Sequence, residues 1–198
     1  MGKFLLVIRK ENKEENNLLY MNAIKTFGGE VVTVYDSDSY ENVGRLLKYI
    51  DGILLPGGDD VGRLDFFLIE YALMNKKKLL GICQGMQSMA LYGSGDKLVS
   101  IEKDNHYLKD KYCHDVIISD NSMLYKILGK TCFSVNSYHH QTILKSYFFS
   151  IIGYSSDGLI EVVEGNDDIF QIGVQWHPER MFEFDDNAYK LLESFIKK

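Results

Sequence analysis

The chain has 198 residues, of which 45% are hydrophobic and 25% charged, with a formal net charge of −6. That length supports one domain with a substantial core, read as spanning residues 1–198. The acidic balance argues against a nucleic-acid backbone or an anionic membrane surface as partner, and three cysteines without CxxC spacing indicate neither a disulfide framework nor a cysteine zinc site.

The opening "MGKFLLVIRKEN" has a short apolar run followed by charges, without a signal-peptide core or a small-residue cleavage site, so a reduced cytoplasmic protein is expected. Residues 3–9 form a compact apolar run suited to a buried strand. Residues 14–29 place Leu18, Met21, Ala23, Ile24 and Phe27 near helical spacing and stop at Gly28-Gly29. A β-branched strand follows at 30–35, a weaker helix at 43–50, and a strand running into Pro56-Gly57-Gly58 at 52–58. Residues 63–75 form an amphipathic helix, 78–83 a strand and 84–93 a helix. Alternating units of this length predict an α/β fold: an open, mostly parallel sheet flanked by helices.

The later half reads differently. Strand patterns appear at 112–119, 132–137, 148–155, 160–164 and 169–176, with a short helix at 122–129 and a closing amphipathic helix at 187–198. These predict additional antiparallel strands.

Between the strand at 78–83 and the helix after it stands "GICQG", of the form G-x-nucleophile-x-G. A strand that turns directly into a helix crowds the positions two before and two after the bend, and Gly81 and Gly85 remove the side chains that would clash. The Cys83 thiol then sits at the first turn of a helix, where the helix dipole favours the thiolate. Two glycines around a cysteine also mark ordinary tight packing, so a second segment decides. In "VQWHPERM" (174–181), Pro178 keeps His177 extended, and Glu179 stands two residues on. His177 as base and Glu179 as its orienting group complete a nucleophile–base–orienter set with Cys83. The strand ending in "PGGDD" offers backbone N–H groups for an oxyanion, Gly58 together with Gln84 after the cysteine.

With Cys83 in "GICQGMQ", His177 and Glu179 in "WHPER", and "PGG" at 56–58, the chain resembles the class I glutamine amidotransferase superfamily along nearly its whole length. "VNSYHHQ" (135–141), "SSDGLIEVVE" (155–164) and "RLDFFLIE" (63–70) are similar to its γ-glutamyl-γ-aminobutyrate hydrolase-like branch. The resemblance implies hydrolysis of a small-molecule γ-glutamyl amide through a γ-glutamyl thioester on Cys83, without a cofactor. It implies that Gln87 helps hold the glutamyl group and that Asn136, Ser137 and Tyr138 contact its α-amino and α-carboxylate ends, with His139 in the pocket wall. Gln84 stands where the branch often has arginine, and only Val61-Gly62 separate "PGGDD" from the next helix, where relatives carry a longer insertion. The leaving amine therefore does not carry over. Two rivals stand beside this reading: a glutaminase subunit feeding ammonia to a separate synthetase, and a non-catalytic γ-glutamyl sensor.

The remaining residues are expected in structural roles. His139 and His140 lack converging ligands at any recognisable spacing, so no metal is expected. His106 and His114 read as loop or surface residues, Cys113 and Cys132 as inert core thiols, Trp176 as packing, and Arg63, Asp65 and Glu70 as local capping and ion pairing.

Overall fold

The computed structural model describes every residue except 60, 102–105, 109, 110, 167 and 198. In its first strand, β1 (Lys3–Ile8), Phe4, Leu5, Leu6 and Val7 are all buried. Successive strand residues point to opposite faces. Phe4 and Leu6 accordingly join a core with Tyr20, Ala23 and Ile24 of α1 (Glu14–Thr26) and Phe195 of the last helix. Leu5 and Val7 join a second core with Val43 and Leu47 of α2 (Tyr40–Leu47) and Leu64 and Leu68 of α3 (Arg63–Met74). Helices on both faces are the reason the strand reads as an unbroken apolar run.

The other parallel strands are β2 (Glu30–Tyr35), β3 (Gly52–Leu55) and β4 (Lys78–Ile82), the last followed by α4 (Gln84–Leu91). Then come β5 (Val99–Ser100), β6 (Tyr107–Leu108), β7 (His114–Ile118), α5 (Met123–Leu128), β8 (Cys132–Val135), β9 (Ser137–Tyr138) and β10 (Gln141–Thr142). The chain continues through β11 (Ser150–Ser155), β12 (Ile160–Glu164) and β13 (Gln171–Val174) to α6 (Asp186–Lys197). One nine-stranded sheet runs β2-β1-β3-β4-β13-β12-β11-β7-β8. Its first five strands are parallel, and from β13 onward every pairing is antiparallel. The antiparallel strands thus extend the parallel sheet from its β13 edge.

Two small antiparallel pairs, β10 with β5 and β6 with β9, were not legible in the sequence, because two-residue pieces carry no periodicity. The cysteine expectation is also corrected: Cys132 is exposed and Cys113 only half-buried. Cys132 begins β8, an outermost strand on which Phe133 and Val135 face the core while Cys132 and Ser134 face solvent. Trp176 does pack, edge-on against Phe133 at 5.5 Å between ring centres. Among the described residues, no helix is long and apolar enough to cross a membrane.

Candidate active site

Three neighbouring parallel strands end at one level. Leu55 of β3 pairs with Gly81 of β4, and Gly81 pairs with Gly173 of β13. The chain leaving β3 is Pro56-Gly57-Gly58, the residue leaving β4 is Cys83, and β13 continues through Gln175 to His177. The alignment at the carboxyl ends of the sheet brings together groups far apart in sequence.

Cys83 has φ 52° and ψ −109°, a backbone conformation that an L-residue adopts only under strain of roughly 1–3 kcal/mol. Its N–H donates to Val174 O at 2.8 Å, and its carbonyl accepts the first helical bond of α4 from Gln87 N–H at 3.1 Å. The flanking glycines are sterically required. A Cβ on Gly85 would lie 2.1 Å from Leu55 O, and one on Gly81 would lie 2.8 Å from the Gly85 backbone. The bend therefore turns the thiol away from the sheet.

His177 Nδ1–H donates to Glu179 Oε1 at 2.7 Å, which leaves the other ring nitrogen for Cys83, with which the imidazole also hydrogen-bonds. His177 and Glu179 are both buried. Burial alone would lower the imidazole pKa. The Glu179 carboxylate and the Cys83 sulfur outweigh it and push His177 up to about 10. Asn136 fixes the segment from below: its side-chain amide donates to His177 O at 3.0 Å, and its Oδ1 accepts from His177 N–H at 2.8 Å. Tyr138 stands edge-on to the imidazole at 5.4 Å.

Several contributors escaped the sequence reading. Gln175 Nε2 lies 3.5 Å from Cys83 Sγ, and its Oε1 accepts from Gln87 Nε2 at 3.1 Å; a polar residue at the end of an apolar strand run, two before His177, was the available signal. Tyr20 lies on the buried face of α1, and its hydroxyl accepts from Gly57 N–H at 3.1 Å. Burial, with Glu179 and Cys83 nearby, keeps that phenol well above its ordinary range and hence neutral. Gly57 itself is a contact residue, since a Cβ there would lie 3.0 Å from His177 Cε1 and 3.5 Å from Cys83 Cβ.

Beneath the bend, Asp65 accepts from Arg9 Nη2 at 2.9 and 2.7 Å, from Ser88 Oγ at 2.6 Å and from Gln84 Nε2 at 3.1 Å. Arg9 and Asp65 are fully buried. Asp65 is thus a long-range brace rather than the local cap expected of it, because its side chain points under α4. The Gln84 side chain is held in this network, and a Cβ on Gly58 would lie 2.9 Å from its Oε1. Removing Asp65 strands a buried guanidinium, so Asp65→Ala is expected to cost about 3–5 kcal/mol in a urea unfolding experiment. A loss under about 1 kcal/mol, the range of an exposed pair, would show that Arg9 is not held this way.

A cavity of about 590 Å³ opens above Cys83 and His177, walled by Tyr20, Gly57, Gly58 and Tyr138. Glu11, Glu15 and Asp59 lie on its lining with Lys13 and Arg180. Asp60 lies outside the described residues. Of the five residues expected to hold the glutamyl group, Tyr138 lines this cavity. Gln87 donates to Gln141 O at 3.0 Å and to Gln175, Ser137 Oγ donates to His106 O at 2.8 Å, and Asn136 is bound to the His177 backbone. His139 bonds to Gln141 O at 3.0 Å and meets the ring of His106. His106 lies in the connection before β6, as expected of a loop residue, and His114 begins β7, but both are buried rather than on the surface and face Glu161 of β12 inside the fold. A second cavity, of about 680 Å³, lies at the amino ends of the strands near Phe4, Lys78 and Phe170 and includes none of the expected site residues.

The arrangement sets a buried imidazole between a thiol and a carboxylate at the floor of a polar cavity. Such a set can hold a proton taken from sulfur and return it to a leaving group.

Comparison with known proteins gives consistent results. The peptidase C26 family pattern matches residues 7–63 and 62–179. Protein NtpR of Enterococcus hirae is 27% identical, with 90% of this chain and 87% of that protein aligned. The γ-glutamyl-γ-aminobutyrate hydrolase PuuD of Escherichia coli is 29% identical over 81% of this chain and 76% of its own length. The glutaminase domain of Trypanosoma brucei CTPS with bound acivicin superposes with a TM-score of 0.75 at 17% identity, covering 99% of this chain and 91% of that one.

Proposed function

Because the chain belongs to the peptidase C26 family of class I glutamine amidotransferase-like proteins, we propose that it is a cysteine hydrolase that cleaves the C–N bond of a γ-glutamyl amide and releases glutamate and an amine. The observation that carries this reading is the buried imidazole shared by Cys83 and Glu179 beneath the cavity. Cys83 Sγ attacks the side-chain carbonyl carbon. An S–C bond forms and the carbonyl oxygen becomes an oxyanion, met by the N–H groups of Gly58 and Gln84. His177, already holding a proton at neutral pH, gives it to the amine nitrogen as the C–N bond breaks. Water then adds to the γ-glutamyl thioester, His177 accepts its proton, and the S–C bond breaks to free glutamate.

In this mechanism Tyr138 meets the glutamyl group directly, and Arg180, whose guanidinium lies over the Tyr138 ring at 5.2 Å, faces its carboxylate. Asn136, Ser137, His139 and Gln87 position that wall through the bonds described above. The Gln84 side chain, turned down towards Asp65, takes no part in holding the amine. That leaves the Glu11 and Asp59 side of the cavity without a nearby cation from position 84.

The test is kcat/KM over a panel of γ-glutamyl amides and over analogues altered in the acyl half. Acyl changes that remove a charged end are expected to cost about 10⁴-fold or more, because a site built to hydrogen-bond that end is left with its polar groups unpaired. Methylene-sized changes in the amine are expected to cost only about 10–200-fold. Steep dependence on the amine with tolerance of altered acyl groups would overturn the assignment of the two halves. Free glutamine belongs in the panel: a fold shared with a glutaminase domain supports the second reading, a subunit that passes ammonia to a separate synthetase. Hydrolysis of glutamine that rises only when a synthetase is added would favour it.

A further inference from the structure

Away from the cavity, three histidines and a glutamate converge inside the antiparallel half of the fold. His106 precedes β6, His114 begins β7, His139 lies between β9 and β10, and Glu161 is on β12; all four are buried. Glu161 Oε1 lies 3.3 Å from His114 Nε2, 3.5 Å from His139 Nε2 and 3.8 Å from His106 Nδ1. His106 Nδ1 and His139 Nε2 are 3.1 Å apart. Ligand atoms of His106, His114 and Glu161 all fall within 4.8 Å of one another.

The outer nitrogens fix where the ring protons are. His106 Nε2 lies 3.1 Å from a carboxylate oxygen of Asp157, and His139 Nδ1 lies 3.0 Å from the carbonyl of Gln141. Both partners are acceptors, so both outer nitrogens carry the proton. In neutral rings this leaves lone pairs on His106 Nδ1 and His139 Nε2, which face each other at hydrogen-bond distance. Glu161, a third acceptor, faces them too, with His114 Nε2 placed 3.3 Å from it as a donor. The two facing lone pairs of His106 and His139 still repel each other unless a cation lies among them.

We propose that this cluster is a structural metal site for a first-row divalent ion, zinc foremost, held by His106, His114, His139 and Glu161. Tetrahedral zinc with bonds of about 2.0–2.1 Å holds its ligand atoms about 3.4 Å apart. Four of the six separations among these ligands, 3.1, 3.3, 3.5 and 3.8 Å, lie on either side of that spacing; His139 stands outside the trio whose ligand atoms are all within 4.8 Å of one another, so its ring closes towards His114 when the ion binds. Imidazole nitrogens suit zinc rather than magnesium or calcium, which take oxygen ligands. Outer-ring protons donated to a carboxylate and a backbone carbonyl are the pattern that orients histidine ligands. Full burial and four protein ligands make the site closed, hence structural. It ties together segments that border the catalytic cavity, since β6 pairs with β9 through Tyr107 and Tyr138. Sequence spacing could not reveal it, because the ligands come from four separate segments.

The test uses the full chain, stripped with a chelator and titrated with zinc by calorimetry, with metal content measured after desalting. One zinc per chain is expected, with a rise in Tm of about 5 °C or more at saturating zinc. Cobalt in place of zinc is expected to give the visible d–d absorption of a tetrahedral centre. Both measurements are repeated on Cys83→Ala, which removes the catalytic thiol as a rival ligand and is expected to leave the stoichiometry at one. Asp157→Asn, at a half-exposed turn and therefore expected to fold, should weaken zinc binding about 10–100-fold. No zinc retained by the wild-type chain, without a Tm shift or a cobalt spectrum, would overturn the proposal in favour of a trapped proton on one imidazole. So would loss of the bound ion in Cys83→Ala, or an unchanged affinity in Asp157→Asn.

Discussion

Replacing Cys83 with alanine is expected to lower kcat by about 10⁶-fold on any γ-glutamyl amide the chain hydrolyses, as loss of a covalent nucleophile does elsewhere. The fold is expected to survive, because the thiol is a small group at a cavity floor. Alanine at φ 52° is as strained as cysteine, whereas glycine is at ease there. Cys83→Gly is therefore expected to be more stable than Cys83→Ala by about 1 kcal/mol while being equally inactive. That separation distinguishes backbone strain from chemistry at one position. Labelling gives an independent check. A small neutral alkylating agent is expected to reach the exposed Cys132 first, and an electrophilic glutamine analogue to reach Cys83 first. An analogue that marks Cys132 and Cys83 equally would remove the support for a glutamyl site over Cys83.

His177→Ala is expected to lose nearly as much rate as Cys83→Ala, because the members of such a unit act together. Glu179→Gln is expected to be milder, about 10²- to 10⁴-fold: its side-chain oxygen still accepts from Nδ1–H, but the charge that holds the imidazolium is gone. Glu179 is among the groups that raise His177, so the alkaline limb of the kcat/KM profile is expected to move to lower pH in Glu179→Gln. An unmoved limb would show that Glu179 orients the ring without holding its proton. Stability has the same sign. A histidine raised from 6.5 to about 10 on folding contributes stability that is fully present below pH 6.5 and is lost as pH rises towards 10. In Glu179→Gln that window narrows from its alkaline end.

Reading the chain from its residues alone succeeded where a signal was local. β1 and β4 are apolar runs because both their faces are covered, and α3 begins at Arg63, where its pattern begins. The bend at Cys83 was legible because steric demand acts within two residues on either side, at Gly81 and Gly85. Asp65 was not legible as a brace. Its partners Arg9 and Gln84 lie 56 and 19 residues away, and the direction of its side chain depends on how α3 packs beneath α4.

The same division separates the two sites. Strand runs, helix periods and a glycine-flanked cysteine are short-range properties, set by backbone sterics and burial on one or two faces, and they were enough to state the α/β architecture and to single out Cys83, His177 and Glu179. Which side chains meet was decided by register. Gly81 pairs with Gly173, and that pairing puts Gln175 beside Cys83 and His177 within its reach. The pairing of β6 with β9 and the antiparallel run from β13 to β7 bring His106, His139, His114 and Glu161 to one point. A register is a property of two strands at once, so no window along the chain contains it.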